Sequence, residues 1–135
     1  MTKLTTTAPH IRSHRDLVVW QRAMQLVTEC YRVTRYLPPE ERFGMQAQIR
    51  RAAVSVPANI AEGHGRLGRG DYVRSLSFAR GSLMEVGCLL ELGPLVGVLG
   101  PEAIGGALSL ADEVARMLWV LIERLGSRQL HPRRW

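Results

Sequence analysis

The stretch Ala53-Val-Ser-Val-Pro57-Ala-Asn-Ile-Ala-Glu62-Gly-His-Gly-Arg-Leu-Gly-Arg-Gly70 decides the fold. Val54 and Val56 alternate as in a β-strand, and Gly63, Gly65 and Gly68 follow at the G-x-G-x-x-G spacing. After a strand and before a helix, that spacing would cradle a pyrophosphate. The alternative is the end of a helix followed by a hairpin connection, and the residues favour it. Pro57 cannot donate to a sheet ladder. Ala52, Ala53, Ser55, Ala58 and Ala61 are small enough to let another helix pack closely. A helical stripe, Phe43, Gln46, Ile49, Ala53, Val56 and Ile60, enters the stretch from upstream. Pro57 then removes one helical hydrogen bond, to the carbonyl of Ala53, and should kink the helix. With no strand in front, the glycine pattern lacks its context. Gly63 is expected to close the helix in a left-handed conformation, with Gly65, Gly68 and Gly70 in a flexible connection.

The helical period extends both ways from this stretch. Upstream, Leu17, Trp20, Met24, Val27, Tyr31 and Thr34 form one heptad seam, and Val19, Ala23, Leu26, Cys30, Val33 and Leu37 form a second beside it. Together they cover more than half of the helix circumference, more than one bundle core needs, which predicts a second buried face against another subunit. Pro38-Pro39 stop this helix, and the next is expected to begin near Glu40-Glu41. Downstream, Asp71 is the expected N-cap of a third helix with seam Tyr72, Leu76, Ala79, Leu83, Val86 and Leu90. Gly93-Pro94 should end or bend it. A fourth helix starts at Pro101-Glu102 and carries Ile104, Ala107, Ala111, Val114, Leu118, Leu121 and Leu125. The prediction is all-α: an antiparallel up-down-up-down four-helix bundle over residues 14–126, with a flexible N-terminal tail at 1–13 and a basic C-terminal tail at 127–135.

At 135 residues and 46% hydrophobic composition the chain fits one globular domain. Residues 1–16 lack the apolar core of a secretory leader. The apolar runs also fall short of the roughly 18 to 20 residues of a membrane span, so a cytoplasmic protein with no membrane role is expected. Cys30 and Cys88 are far apart in apolar surroundings and read as reduced and buried. The net charge of +6 is concentrated: residues 1–39 carry +4 and 40–70 carry +2, against −1 for 71–100 and +1 for 101–135. Such a surface suits an anionic partner, nucleic acid above all. Every basic residue but Lys3 is Arg, however, a skew that a GC-rich genome produces by itself.

No catalytic constellation is visible. No Glu is followed three residues later by His, as a di-iron bundle requires, so no metal or other cofactor is expected. His10, His14, His64 and His131 fall in the tails and one loop, without the rigid support a catalytic base needs. Ser55, Ser75, Ser77 and Ser82 have no His and Asp nearby in sequence. Arg51, Ser55, Asn59 and Glu62 share one side of the second helix, where they form a structural network or, alternatively, a ligand stripe. Glu85 is expected to pair with Arg50 or Arg51 and set helix register.

Asp16-Leu-Val-Val-Trp20-Gln-Arg-Ala23, Phe43-Gly-Met-Gln-Ala-Gln-Ile-Arg50-Arg-Ala-Ala-Val-Ser-Val-Pro57-Ala-Asn-Ile-Ala-Glu-Gly63, Gly65-Arg66 and Gly81-Ser-Leu-Met-Glu85 together carry a likeness. Over roughly residues 16–97 the chain resembles the four-helix bundle proteins encoded in intervening sequences of bacterial large-subunit (23S) ribosomal RNA genes. The resemblance implies a small basic bundle that assembles as a homopentamer. It further implies a relation to the accessory variability determinant of diversity-generating retroelements, which binds nucleic acid and a reverse transcriptase. No catalytic residues are carried over. Gly87 and Gly93-Pro94 make the third helix less regular than that family leads one to expect.

The expected function is a non-enzymatic, oligomeric adaptor that binds structured nucleic acid, RNA or an RNA/DNA hybrid, as an accessory to a reverse transcriptase. Arg22, Arg32 and Arg35 on the first helix, with Arg50, Arg51, Arg66 and Arg69, would neutralise phosphates. Few exposed aromatic residues are expected for stacking on bases. The alternative is a scaffold for a partner protein with no intrinsic nucleic-acid role.

Overall fold

The computed structural model describes residues 11–126; residues 1–10 and 127–135, which hold most of the two expected tails, lie outside the described residues. Ser13, expected in the flexible N-terminal tail, instead caps a short 3-10 turn, His14–Asp16, by accepting from the Arg15 amide while Asp16 accepts from the Ser13 amide. Four helices follow: α1 Val18–Thr34, α2 Met45–His64, α3 Arg69–Leu95 and α4 Gly105–Gly126. There is no strand among the described residues. Consecutive helices pack against each other and α4 returns to α1, closing the set around one core.

Each helix buries the stripe its period marks out. In α1 it is the second seam, Val19, Ala23, Leu26, Cys30 and Val33, continued by Leu37 past the helix end. The first seam divides. Leu17, Trp20 and Val27 lean on the core, Thr34 is buried with its hydroxyl donating to the Cys30 carbonyl, and Met24 and Tyr31 face outward. Ile49, Ala53, Val56 and Ile60 of α2 are fully buried, as are Leu76, Ala79, Val86 and Leu90 of α3 and Val114 and Leu118 of α4. Each Val, Leu or Ile side chain so removed from water stabilises the fold by about 1.5–3 kcal/mol, and each alanine methyl by less.

Two pairs of contacts give the sense of the packing. Between α2 and α3, Ser55 meets Ser82 while Gly63 meets Ser75. Between α1 and α4, Arg22 meets Glu113 while Glu29 reaches Gly106. In both, an advance along one helix is a retreat along the other, the opposing sense that antiparallel neighbours give.

The helix ends depart from the sequence reading, each for a local reason. Pro39–Glu41 forms a 3-10 turn rather than the start of α2, which begins at Met45, where the Glu41 carboxylate accepts from the Met45 amide. Phe43 therefore falls in the connection and is 88% exposed instead of extending the α2 stripe. Pro57 lies inside α2 and is buried. Gly63 does not terminate α2. It is buried one residue before the helix end, where a Cβ would stand 2.7 Å from the Ser75 Cβ and 3.0 Å from Tyr72 Cδ1. Its role is close approach of α3. The cap of α3 is Gly68, and Asp71 sits in the first turn rather than at the cap position.

Helix α3 is continuous through Gly87 and Pro94, and the chain turns just beyond it at Gly97, which occupies the left-handed region at φ 79°. Pro101 opens a 3-10 turn, Pro101–Ala103, ahead of α4. Gly93 also has a packing reason: a Cβ there would meet Leu99 Cδ1 at 2.9 Å.

Candidate nucleic-acid interface

A guanidinium can bind phosphate when it is exposed and its charge is not already committed. The seven arginines expected to do so are committed to different degrees. Arg35 and Arg51 are exposed, Arg69 is half-buried, and none of the three makes an ion pair among the described residues. Arg32 grips Glu29 through two hydrogen bonds, Nε at 3.0 Å, which holds the Glu29 carboxyl below the usual carboxylate range and raises the guanidinium in turn. Arg66 donates to Glu62 at 2.6 Å. Arg22 lies 3.0 Å from Glu113 on α4 without an aligned N–H, its Nη1 donating instead to Gln25.

Arg50 has a structural task. It lies over the Tyr31 ring, 4.3 Å from its centre, donates to the Thr34 hydroxyl at 2.9 Å and reaches the Tyr31 carbonyl. Beside it Gln46 donates to the Thr34 carbonyl. These contacts tie α2 to the last turn of α1, where the helix end leaves carbonyls without partners.

The seven do not form one patch. Arg50 reaches the end of α1 that carries Arg32 and Arg35, whereas Arg66 and Arg69 lie at the other end of α2, roughly 20 Å away at 1.5 Å per residue. Beside that second group a polar pocket of about 320 Å³ is lined by Glu62, Arg66, Asp71, Arg74, Ser75 and Phe78, with carboxylates and guanidinium groups in equal number. His64 and Tyr72 stand edge to face nearby, 3.4 Å from Nδ1 to hydroxyl, and burial pushes the Tyr72 hydroxyl up from its ordinary pKa.

The polar side of α2 is a structural network in its central part. Ser55 and Ser82 share a hydrogen bond of 2.8 Å between α2 and α3, and Asn59 donates to both the carbonyl and the hydroxyl of Ser55. Arg51 and Glu62 at the ends of the stripe point to solvent. Glu85 is exposed and pairs with neither Arg50 nor Arg51, because Arg50 is held by α1. Among the described residues no three His, Cys, Asp or Glu side chains stand close enough to hold a metal ion. No described helix is long and apolar enough to cross a membrane.

Two features escaped the sequence reading. Cys30 is buried, its thiol pushed up to about 12 first by burial and then by Glu29, but Cys88 is exposed. It lines a groove of about 510 Å³ between α3 and α4 with Leu83, Met84, Leu92 and Leu95. Exposed aromatic residues are also more numerous than expected, and each of three has an arginine over its ring: Arg42 on Phe43, Arg74 on Phe78 and Arg80 on Trp119. The spacings Arg42-Phe43 and Arg74-x-x-x-Phe78 were visible in the sequence, whereas Arg80 and Trp119 meet only through the packing of α3 on α4.

The fold has a solved counterpart. A protein of unknown function from the S23 ribosomal protein family of Bacteroides thetaiotaomicron VPI-5482 is similar at a TM-score of 0.72 and 24% identity, covering 78% of this chain and 96% of that one. No curated protein matches the chain. A family match extends over residues 15–120, from the 3-10 turn ahead of α1 to the last turns of α4. The chain belongs to the 23S rRNA-intervening sequence protein family.

Proposed function

We propose that the chain is a non-catalytic basic adaptor that binds structured nucleic acid and works as an oligomer, in the setting of a reverse transcriptase. The observation that carries this reading is the state of its surface cations. Arg35, Arg51 and Arg69 have no carboxylate partner among the described residues. Arg32 and Arg66 hold glutamates in solvent-screened same-helix or helix-end pairs, so exchanging carboxylate for phosphate costs little. Self-association is supported by Met24 and Tyr31, exposed apolar side chains on the outer side of α1. A five-membered ring would repeat each arginine cluster around an axis and multiply a weak contact.

The test is binding of a structured RNA hairpin across a salt series, with light scattering to fix the subunit count. Replacing Arg66 and Arg69 together by Ala should weaken binding and reduce the slope of log K against log salt by about 2, one for each phosphate no longer neutralised. Unchanged affinity and slope in a folded variant would remove these two residues from the interface. A chain that binds no RNA at low salt would overturn the adaptor reading in favour of a protein scaffold. The apolar groove between α3 and α4 supports that second reading.

A further inference from the structure

We infer that Trp119 is a stacking platform for an unpaired base of single-stranded nucleic acid, with Arg80 and Arg116 placed for the flanking phosphates. This rests on the nucleic-acid reading above and adds to it a site that none of the seven sequence-derived arginines contributes to. Trp119 is 51% exposed on α4, and the Arg80 guanidinium, from α3, lies 5.4 Å from its ring centre. Around it is an open cleft of about 440 Å³ lined by Arg80, Ala115, Arg116, Trp119 and Val120.

Three properties of this cleft select the ligand. A half-exposed indole forgoes much of the burial its ring could gain, and it presents a flat π-face that any nucleobase matches. Ala115 and Val120 are small or aliphatic, so they flank the ring without filling the space over it. The cleft also holds two guanidinium groups and no carboxylate. Glu123, one turn beyond Trp119, is exposed but does not line it. The pocket between α2 and α3 differs on this last point: there Arg66 and Arg74 face Glu62 and Asp71, and the charges balance.

An apolar platform with uncompensated positive charge on its rim fits a base with its adjoining phosphates. A duplex does not fit, because its bases are already stacked and paired and offer no face to the ring. Arg116 and Val120 are one turn apart on α4, with Trp119 beside them, so one nucleotide can touch all three. Arg80, whose guanidinium lies over the ring, carries N–H groups on its edge for a flanking phosphate.

The experiment compares a twelve-nucleotide oligothymidylate with an abasic strand of the same length and charge, by fluorescence anisotropy on the full chain at low salt. The thymidylate strand should bind about 5-fold to 160-fold more tightly than the abasic one, the range that base-on-aromatic stacking gives. Trp119→Ala should abolish most of that ratio and leave the abasic affinity in place, Trp119→Phe should keep most of it, and Arg80→Gln should weaken both strands. A second measurement needs no truncation at the site. In a Trp20→Phe, Trp135→Phe background, the thymidylate strand should quench Trp119 fluorescence and the abasic strand should not. A base preference that survives Trp119→Ala, or equal binding of the two strands by the parent chain, overturns the stacking site while hairpin binding leaves the adaptor reading intact. Failure to bind either strand or the hairpin overturns both.

Discussion

The two sides of α3 are built in opposite ways. Against α2 the packing is close, apart from the polar pocket at the Arg66 end. Gly63 leaves no room for a Cβ, Ala52, Ala53 and Ala79 are buried, and Ser55 and Ser82 join hydroxyls across the seam. Against α4 the seam opens into the groove lined by Leu83, Met84, Gly87 and Cys88, with the Arg80 and Trp119 cleft beside it. The glycines make the contrast plain: Gly63 is small because α3 presses on it, whereas a Cβ on Gly81 or Gly87 would meet nothing within 4 Å. The difference teaches where to look for function. A closed seam holds register, whereas the open side leaves space between its helices that a ligand could enter.

Truncations should separate the two seams most strongly. Ile60→Ala on the closed side should cost toward the upper end of about 2–5 kcal/mol, because rigid neighbours cannot collapse into the hole. Leu83→Ala, beside the open groove, should cost toward the lower end, since its hole joins space that water already reaches. Urea unfolding of the two variants measures the gap, and equal costs would mean that the groove closes in solution.

A smaller effect, of opposite sign on the two sides, is expected from adding one methyl group. Gly63→Ala forces the Ser75 and Tyr72 contacts apart and should destabilise by about 1–3 kcal/mol. Gly87→Ala adds a better helix former in open space and should stabilise by about 0.5–1 kcal/mol. Two shifts of the same sign in thermal unfolding would break the comparison.

The least disruptive probe is a thiol reagent. At neutral pH in native protein Cys88 should react readily and Cys30 only when the protein unfolds. Because burial raises the Cys30 thiol from 9.0 to about 12, the unfolded chain loses that proton first. The contribution of the neutral thiol to stability is therefore complete below pH 9 and is lost progressively as the pH rises toward 12. A stability that stays flat over that interval would mean that the thiol is not buried as described.

Much of this architecture was legible because burial follows period. The seams Leu76, Ala79, Leu83, Val86, Leu90 and Ala107, Ala111, Val114, Leu118 are read directly from spacing, and all of these residues are buried. The helix starts were not legible at the same precision. Glu40-Glu41 and Pro101-Glu102 carry the signals of a helix N-terminus, yet each lies in a 3-10 turn that ends before the α-helix begins. Phe43 extended an apolar stripe in the sequence but fell in the connection, because apolarity does not say where a helix stops. Gly63 looked like a terminator because a helical glycine has two explanations, conformation and closeness, and only the neighbouring helix distinguishes them.

The charges were the least legible. Which glutamate each arginine holds is a matter of rotamer and packing, so Arg50 could be placed near Glu85 on paper while in the fold it lies on Tyr31. Arg80 and Trp119 are 39 positions apart, and nothing local announces them.

Four arginines, Arg42, Arg50, Arg74 and Arg80, lie over aromatic rings. A guanidinium is a plate: its face can rest on a ring while its edge still carries N–H groups outward, as Arg50 shows by stacking on Tyr31 and donating to Thr34 at once. A lysine ammonium has no plate to lay down. At these four positions the near-absence of lysine thus has a mechanical use, independent of whatever mutational bias filled the chain with arginine, and a lysine exchange there would preserve the charge and lose the lamination.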